Sequence, residues 1–250
     1  MIFIVIGVAV VIFTIMYFTP GDPAQLILGT EATQEELEAY REFLGLNKPY
    51  IVQLGKYLYD TFIRLDLGTS YTKKSAVAIE MVQRVPRTLA LSWICIVIDV
   101  VLGIPLGITC ALNRNSAWDR VVMVIAMFGV AMPGFWVALM LVILFTRQLG
   151  WLPAYGIGTW KHWVMPVIAG SLGGVAMEGR STRSAVLETV RADFVTTARA
   201  KGLPERTVTY KHMLPNAMMP IIGMLGNRFA MSIGGTVVIE TVFSFPGVGT

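Results

Sequence analysis

Long apolar runs alternate with short polar stretches along the chain, and this alternation predicts a series of membrane helices. A helix that crosses roughly 30 Å of hydrocarbon needs about 20 mostly apolar residues. Windows of this kind lie at residues 2–18, 88–112, 121–145, 163–180 and 215–237. We therefore predict an all-α fold, a polytopic transmembrane helical bundle with about five spans, in which residues 1–250 form a single membrane domain.

Two of these windows contain residues that interrupt regular helices. The second window carries Gly103, Pro105 and Gly107, and the third carries Pro133 followed by Gly134. Membrane helices tolerate such residues because neighbouring helices can satisfy the backbone groups that they free. We expect a kink at each of the two places.

The composition agrees with a place in the lipid bilayer. Hydrophobic residues make up 55% of the chain, charged residues make up 14%, and the mean hydropathy is +0.65. An ordinary soluble domain has about 25% charged residues. The two cysteines, Cys95 and Cys110, lie on one predicted helix and are separated by about 22 Å at 1.5 Å per residue, so they cannot form a disulfide with each other.

Basic residues in the loops predict the orientation, because Lys and Arg are retained on the cytoplasmic side. The loop before the fourth window carries Arg147 and Lys161. The segment after that window carries Arg180, Arg183, Arg191, Arg199, Lys201, Arg206 and Lys211. This segment is expected to face the cytoplasm, which places the N-terminus in the cytoplasm and residues 19–87 outside. The expected location is the inner (cytoplasmic) membrane.

The first apolar window, residues 2–18, has a second interpretation as a secretory signal. Such a signal begins with a basic region and ends at a cleavage site of small residues. Neither feature accompanies this run. We therefore favour a membrane span.

Residues 19–87 are more polar than the rest of the chain and mix both signs of charge, which predicts a small extracytoplasmic helical insertion. Residues 33–36 fit a capping box, and Gly45 fits a stop signal. Helical patterns begin at about residues 33, 50 and 75, and the last of them ends at Pro86. These helices would pack on the outer ends of the spans, help to seat a solute-binding protein, or do both.

The basic segment 191–214 has a pattern that predicts a helix, a sharp corner and a second helix. Residues 193–201 suit a helix, Gly202 can adopt a left-handed stop conformation, and Pro204 suits the first turn of the next helix. Small side chains here would let another surface approach the backbone: Ala198, Ala200 and Gly202. The segment would form a compact bihelical hook. Without further signals it would be a solvated loop that only sets the topology.

The same segment resembles the EAA loop of the permease subunits of ABC importers. The family pattern reads E-A-A, three residues, G, nine residues and I-x-L-P, and Gly202, Leu214 and Pro215 keep this spacing. Three positions depart from the pattern, where Glu, Ala and Ile are replaced by Thr196, Thr197 and His212. The string T-A-R-A-K-G-L at residues 197–203 is typical of the dipeptide, oligopeptide and nickel branch of these permeases, and the chain resembles the first permease of those systems.

Other stretches agree with that branch, so the resemblance covers nearly the whole chain. They are T-P-G-D-P at 19–23, L-N-K-P-Y at 46–50, L-G-I-P-L-G at 102–107 and E-T-V-F-S-F-P-G-V-G at 240–249. Permeases of this family usually have one further span, so about five spans of an expected six are present and the sequence looks cut short.

The resemblance implies a function, partners and a coupling site. In such permeases the hook docks in a cleft of an ATPase subunit and transmits ATP-driven closure to the membrane helices. The resemblance thereby assigns the coupling role to the following residues: Thr196, Thr197, Ala198, Arg199, Ala200, Lys201, Gly202, Leu203, His212, Leu214 and Pro215. The implied partners are a second homologous permease, two ATPase subunits and an extracytoplasmic solute-binding protein. The implied activity is import of di- or oligopeptides by alternating access, with nickel or glutathione as alternative substrates.

Sequence motifs of enzymes are missing from the chain. No G-x-x-x-x-G-K-[ST] occurs, so no cofactor is expected in this chain, and ATP and Mg would bind to partner subunits. The H-E-x-x-H and G-x-S-x-G patterns are absent as well, which disfavours an enzyme. The basic segment lacks a soluble domain around it, so no nucleic acid partner is expected.

Two ionisable residues fall near the middle of predicted spans. Asp99 lies about twelve residues after Arg87, and Arg228 about thirteen after Pro215. Charges at this depth cost roughly 2.5–3.5 kcal/mol and normally face a cavity or each other. We expect Asp99 and Arg228 to form an ion pair, or to line the transport path where the termini of a peptide need partners. In a self-sufficient channel or secondary transporter, the alternative from another class, they would form a coupling pair.

The fifth window carries two further features. Its glycines allow close helix packing and are expected to form a seam with a partner permease: Gly223, Gly226, Gly234 and Gly235. Glu240 lies near its outer end, at the start of the last matching stretch, and is expected to shape an outer gate.

Overall fold

The computed structural model describes residues 1–29, 31–70, 73 and 75–250. These residues form two compact units, Met1–Gln83 and Arg84–Thr250. Throughout the described ranges the secondary structure is helical, with one isolated bridge and no strand. The predicted all-α fold is confirmed.

The first unit contains one apolar helix and three short helices. They are α1 (Ile2–Phe18), α2 (Pro23–Leu28), α3 (Gln34–Leu44) and α4 (Tyr50–Phe62). Aromatic side chains join α1 to α4, since the rings of Phe13 and Tyr57 lie 5.1 Å apart and the Thr14 hydroxyl lies 2.6 Å from that of Tyr50.

Capping and one ion pair fix the short helices. Thr33 and Glu36 form the expected capping box of α3, and Gly45 ends this helix with φ +76°. Asp22 caps α2 and accepts a hydrogen bond of 2.6 Å from Nη2 of Arg41 on α3. The Arg41 guanidinium lowers the pKa of the Asp22 carboxyl.

The remaining helices run from residue 77 to residue 242. They are α5 (Val77–Ile98), α6 (Ile104–Leu112), α7 (Ala117–Ala131), α8 (Gly134–Leu141), α9 (Lys161–Val190), α10 (Asp193–Ala200), α11 (Glu205–Thr207) and α12 (Leu214–Val242). Three π-helical segments connect some of them: Asp99–Gly103, Val142–Gln148 and Val208–Met213.

The prediction that a short helix ends at Pro86 was wrong. Pro86 lies inside α5, which continues through the first π-helical segment into α6 as one apolar helix, Val77–Leu112. The expected kink around Pro105 is a π-helical segment instead. Proline is tolerated within membrane helices because local π adjustments and neighbouring groups re-satisfy the backbone.

The third window is broken rather than kinked. Helix α7 ends at Ala131, and the segment Gly134–Gln148 departs from its direction by 98°. Met132 is extended with ψ 125°, and Pro133 occupies the N-cap of α8. A residue before proline is driven out of the helical region by a clash with the proline ring, which explains the break.

By length and apolarity, Val77–Leu112 could cross a membrane as one helix. Two bent pairs qualify only when each is counted as one span, namely Ala117–Ala131 with Gly134–Gln148, and Glu205–Ser232 with Gly234–Val242 at 49°. Helix α1 is apolar but shorter.

Helix α9 forms the centre of the second unit and encloses the predicted window 163–180, although it is not among these apolar candidates. It packs against α6, α7, α8, α12 and the first π-helical segment. Its buried positions include the polar residues Ser171, Glu178 and Thr182. The central helix therefore brings a carboxyl group and two hydroxyl groups into the interior of the second unit.

Candidate coupling hook and charged seam

The hook, residues 191–214, has the predicted form of helix, corner and helix. Helix α10 ends at Ala200, Gly202 adopts φ +73°, and Pro204 is the N-cap of α11. A Cβ atom at Gly202 would meet nothing within 4 Å. Glycine is therefore favoured here by the left-handed backbone and not by lack of space.

An ion pair spans the corner of the hook. Arg199 donates from Nη2 to Oε1 of Glu205 at 2.5 Å and from Nε to Oε2 at 3.2 Å. This contact lowers the pKa of the Glu205 carboxyl and raises the pKa of the Arg199 guanidinium. The sequence analysis missed Glu205, although opposite charges on either side of a Gly-x-Pro corner are a usable signal.

The base of the hook is apolar and buried. Val195 and Ala198 of α10 point into a cluster that also contains residues of α6, α9, the third π-helical segment and α12. Its buried members are Ala111, Val186, Val195, Ala198, Val208, Met213 and Ala217. The base of the hook is therefore packed against α6, α9 and α12.

The apex of the hook is exposed. Among the predicted coupling residues, the exposed ones are Thr196, Thr197, Arg199, Ala200, Lys201, Gly202, Leu203 and Pro215. Ala198 is buried in the base, whereas His212 and Leu214 are half-buried, and Leu214 and Pro215 begin α12. Two exposed aromatic residues, Phe194 and Tyr210, were not anticipated.

Asp99 and Arg228 form the expected ion pair. Nε of Arg228 donates to Oδ2 of Asp99 at 3.2 Å. The side chain of Asp99 is 1% exposed, and that of Arg228 is 32% exposed. Asp99 begins the first π-helical segment, so the carboxylate lies where the helix is widened.

A constant register connects the helix that carries Asp99 to α9. Four contacts, each between residues 75 positions apart, are formed by the pairs Cys95/Gly170, Asp99/Gly174, Gly103/Glu178 and Gly107/Thr182. Each pair places a glycine against a larger side chain, and a Cβ on any of these glycines would clash with that side chain. We call these eight residues the glycine seam.

The glycine seam corrects the role predicted for two glycines. Gly103 and Gly107 were expected to kink the helix, but they allow Glu178 and Thr182 to approach its backbone. At the first two contacts the larger side chain, Cys95 or Asp99, belongs to the helix Val77–Leu112 and the glycine belongs to α9. At the other two contacts the larger side chain, Glu178 or Thr182, belongs to α9. Parallel helices that exchange small and large residues in this way pack closely.

Glu178 is the functional candidate that the sequence analysis missed. It is 5% exposed and interacts electrostatically with both Asp99 and Arg228. Within the described residues, the buried side-chain atoms that lack a hydrogen-bond partner are Ser92 Oγ, Asp99 Oδ1, Glu178 Oε1 and Thr182 Oγ1. The signal available in the sequence was a third ionisable residue at the end of an apolar window.

A second ion pair joins α7 to α9. Arg183 donates from Nε to Oδ1 of Asp119 at 2.6 Å and from Nη2 to Oδ2 at 2.8 Å. The backbone N–H groups of Asn115 and Asp119 are bound by Asp119 Oδ2 and Ser116 Oγ, respectively. The pair is bidentate, and the Asp119 carboxylate also accepts a hydrogen bond from a backbone N–H group, so the pair connects α7 to α9 rigidly. We call this ion pair the strut.

The end of α12 is fastened to α5 by a buried carboxylate. Glu240 is fully buried, and it accepts hydrogen bonds from Thr88 Oγ1 at 2.7 Å and from the backbone N–H of Gly249 at 2.8 Å. Phe245 is also fully buried, and its ring meets that of Trp163 edge to face at 4.9 Å. The stretch 240–249 is therefore folded back on the bundle. A role of Glu240 in an outer gate stays a prediction.

Comparison with known proteins agrees with this geometry. A family model described as binding-protein-dependent transport system inner membrane component matches residues 103–250, and a second, for the N-terminal part of such components, matches residues 1–92. The crystal structure of an amino acid ABC transporter shares the fold, with a TM-score of 0.52 and 17% identity over 69% of this chain and 76% of that chain.

Two relatives extend the match over almost the whole chain. The glutathione transport system permease protein GsiC of Escherichia coli strain CFT073 is 38% identical over 97% of this chain and 79% of its own length. The dipeptide transport system permease protein DppB of Alkalihalophilus pseudofirmus is 36% identical over 98% of this chain and 82% of its own length. The chain belongs to the inner membrane component family of binding-protein-dependent transport systems, and it is a permease subunit of an ABC importer.

Proposed function

We propose that this permease imports di- or oligopeptides by alternating access, and that its hook couples the cycle to separate ATPase subunits. The observation that carries this proposal is the division of the hook into an exposed apex and a base buried among α6, α9 and α12. An apex that meets a motor protein can move the bundle only if its base is packed into it. The hook combines both properties.

The proposed assembly contains a second homologous permease, two ATPase subunits that bind ATP and Mg, and an extracytoplasmic solute-binding protein. Open space around four glycines of α12 supports the contact with a second permease: Gly223, Gly226, Gly234 and Gly235. In the proposed topology the hook and the N-terminus face the cytoplasm, and residues 19–87 face outward. The solute-binding protein would dock on that outer side.

Peptide-like substrates are supported by the relatives, because one is named for dipeptide and another for glutathione transport. Glutathione and short peptides both present ammonium and carboxylate groups. Arg228 is partly exposed beside Asp99, so the pair could meet such termini on the transport path. Binding assays with the cognate solute-binding protein, with peptides, glutathione and nickel as ligands, decide between the substrates.

The coupling role is tested by two substitutions at one position. Gly202→Val forces a β-branched residue into a left-handed conformation, whereas Gly202→Asn supplies a residue that tolerates it. We expect the valine variant to lose co-purification with the ATPase subunits and ATP-dependent uptake into proteoliposomes, and the asparagine variant to keep most of both.

Two outcomes would contradict the proposal. Equal retention of the ATPase subunits by both variants would show that the corner is not the contact. Uptake by the purified chain in liposomes without any ATPase subunit would identify it as a channel or secondary transporter instead.

A further inference from the structure

Negatively charged side chains outnumber positively charged ones in the middle of the glycine seam. Two buried carboxylates, Asp99 and Glu178, lie within electrostatic reach of one guanidinium, that of Arg228. The guanidinium is bound to Asp99, and Oε1 of Glu178 has no hydrogen-bond partner. A buried carboxylate without a cation is unfavourable, so this arrangement stabilises Asp99 at the expense of Glu178.

The register places the two carboxylates one helical turn apart. Asp99 packs over Gly174 and Glu178 packs over Gly103, so each carboxylate lies four residues from the glycine that faces the other. Four residues correspond to about 6 Å along a helix. The two carboxylates therefore lie one turn apart along the glycine seam, and Arg228 of α12 is hydrogen-bonded to the first of them.

The pair of Arg228 with Asp99 is also looser than the other buried pair. Arg228 makes one hydrogen bond of 3.2 Å and keeps 32% of its side chain exposed. Arg183, in contrast, makes two short bonds to Asp119. A single long bond to a partly exposed guanidinium can be exchanged at little cost, whereas a bidentate pair cannot.

We infer that Glu178 is the second acceptor for Arg228 in the transport cycle. The guanidinium leaves Asp99 and binds Glu178 when α12 shifts by about one turn along α9, a step of about 5.4 Å that packed helices make as a discrete ratchet. Each of the two access states then has one paired and one unpaired carboxylate. This inference rests on the proposed alternating access and adds the residue that would define the second state.

The test compares two neutralising substitutions that should act in opposite directions. Asp99→Asn removes the negative charge that holds Arg228 in the present state, and Glu178→Gln removes the charge that would hold it in the other state. Both are made in the full complex with the binding protein and ATPases, in a background with both native cysteines replaced by alanine. Ser232→Cys, a half-buried position one turn beyond Arg228 on the same face of α12, reports accessibility to a membrane-impermeant maleimide added from outside.

We expect the two variants to shift the labelling rate in opposite directions from the parent, by at least about fivefold between them. Thr182→Val, which removes an unpartnered buried hydroxyl one turn further along α9, should leave the rate unchanged. The double variant should lose the dependence of labelling on ATP, because neither state is then favoured by an ion pair.

Shifts in the same direction, or no shift, would overturn the inference. So would failure of Glu178→Gln to assemble while Thr182→Val assembles, because the charge would then serve folding. Failure of the proposed function is seen separately, as a parent complex that shows no ATP-dependent uptake in the same vesicles.

Discussion

Glycine is needed for different reasons in the hook and in the helices that pack around α9. At Gly202 the backbone is left-handed and the surroundings are open, so only the backbone conformation disfavours most other residues. At Gly107 the backbone is helical, and a Cβ would meet the carbonyl oxygen of Gly179 and the side chain of Thr182. The corner of the hook therefore requires a particular backbone conformation but has room for a larger side chain. The helices packed around α9, in contrast, have no room for a larger side chain at Gly107. Substitutions can separate these two requirements.

The largest effect is expected at Gly107. Gly107→Ala inserts a methyl group against the backbone of α9, which cannot move aside as a flexible side chain would. We expect a loss of about 3 kcal/mol in the free energy of unfolding, at the upper end for overpacking. Thermal unfolding in detergent measures it, with Gly223→Ala as the control because the space around Gly223 is open. Equal stability of both variants would contradict the close packing of the glycine seam.

A smaller effect is expected at the strut between α7 and α9. Asp119→Asn leaves Arg183 without its carboxylate and should cost about 2 kcal/mol, which is below the full cost of breaking a buried pair because the Arg183 side chain is 23% exposed. Asp60→Asn is the matched control, since Asp60 and Arg64 form a more exposed pair at 3.6 Å. Urea or thermal unfolding of the two variants should differ clearly, and identical curves would show that the strut contributes nothing.

The smallest effect is expected at the exposed pair across the hook. Because the pKa of Glu205 is lowered in the folded chain, the contribution of this pair is present above the ordinary carboxyl value of about 4.3 and is lost as the pH falls through the lowered pKa. Glu205→Gln should leave global unfolding at pH 7 almost unchanged and should remove this acid-dependent part. Hydrogen exchange of α10 and α11 measures it. A large change in global unfolding would indicate that the hook is not a separate exposed element.

Local signals in the sequence were sufficient for much of the fold. The capping box at Thr33 and the left-handed corner at Gly202 depend only on neighbouring residues, so their structures follow from short patterns. The place of the interruption at Pro133 was also predicted, although its size was not. The angle of a break depends on what the two helices pack against, which a local pattern does not contain.

Contacts between distant helices were the part that the sequence could not provide. The charge of Asp99 and of Arg228 at membrane depth was enough to predict their pairing, because ionisable groups there need partners. Glu178 escaped notice because it lies at the end of an apolar window, where a charge can also face water. Its burial follows from the register that places it over Gly103, and the register becomes visible only in three dimensions.

The fastening of Glu240 to Thr88 has a consequence for the order in which the chain matures. The two residues are separated by 152 positions, so the ribosome releases Thr88 long before its hydrogen-bond acceptor has been made. N-terminal parts of a chain generally fold first during synthesis. Until residue 240 emerges, α5 carries a hydroxyl whose only acceptor among the described contacts is missing. Insertion of α5 therefore precedes its final docking, and α12 completes a helix that was synthesised far earlier.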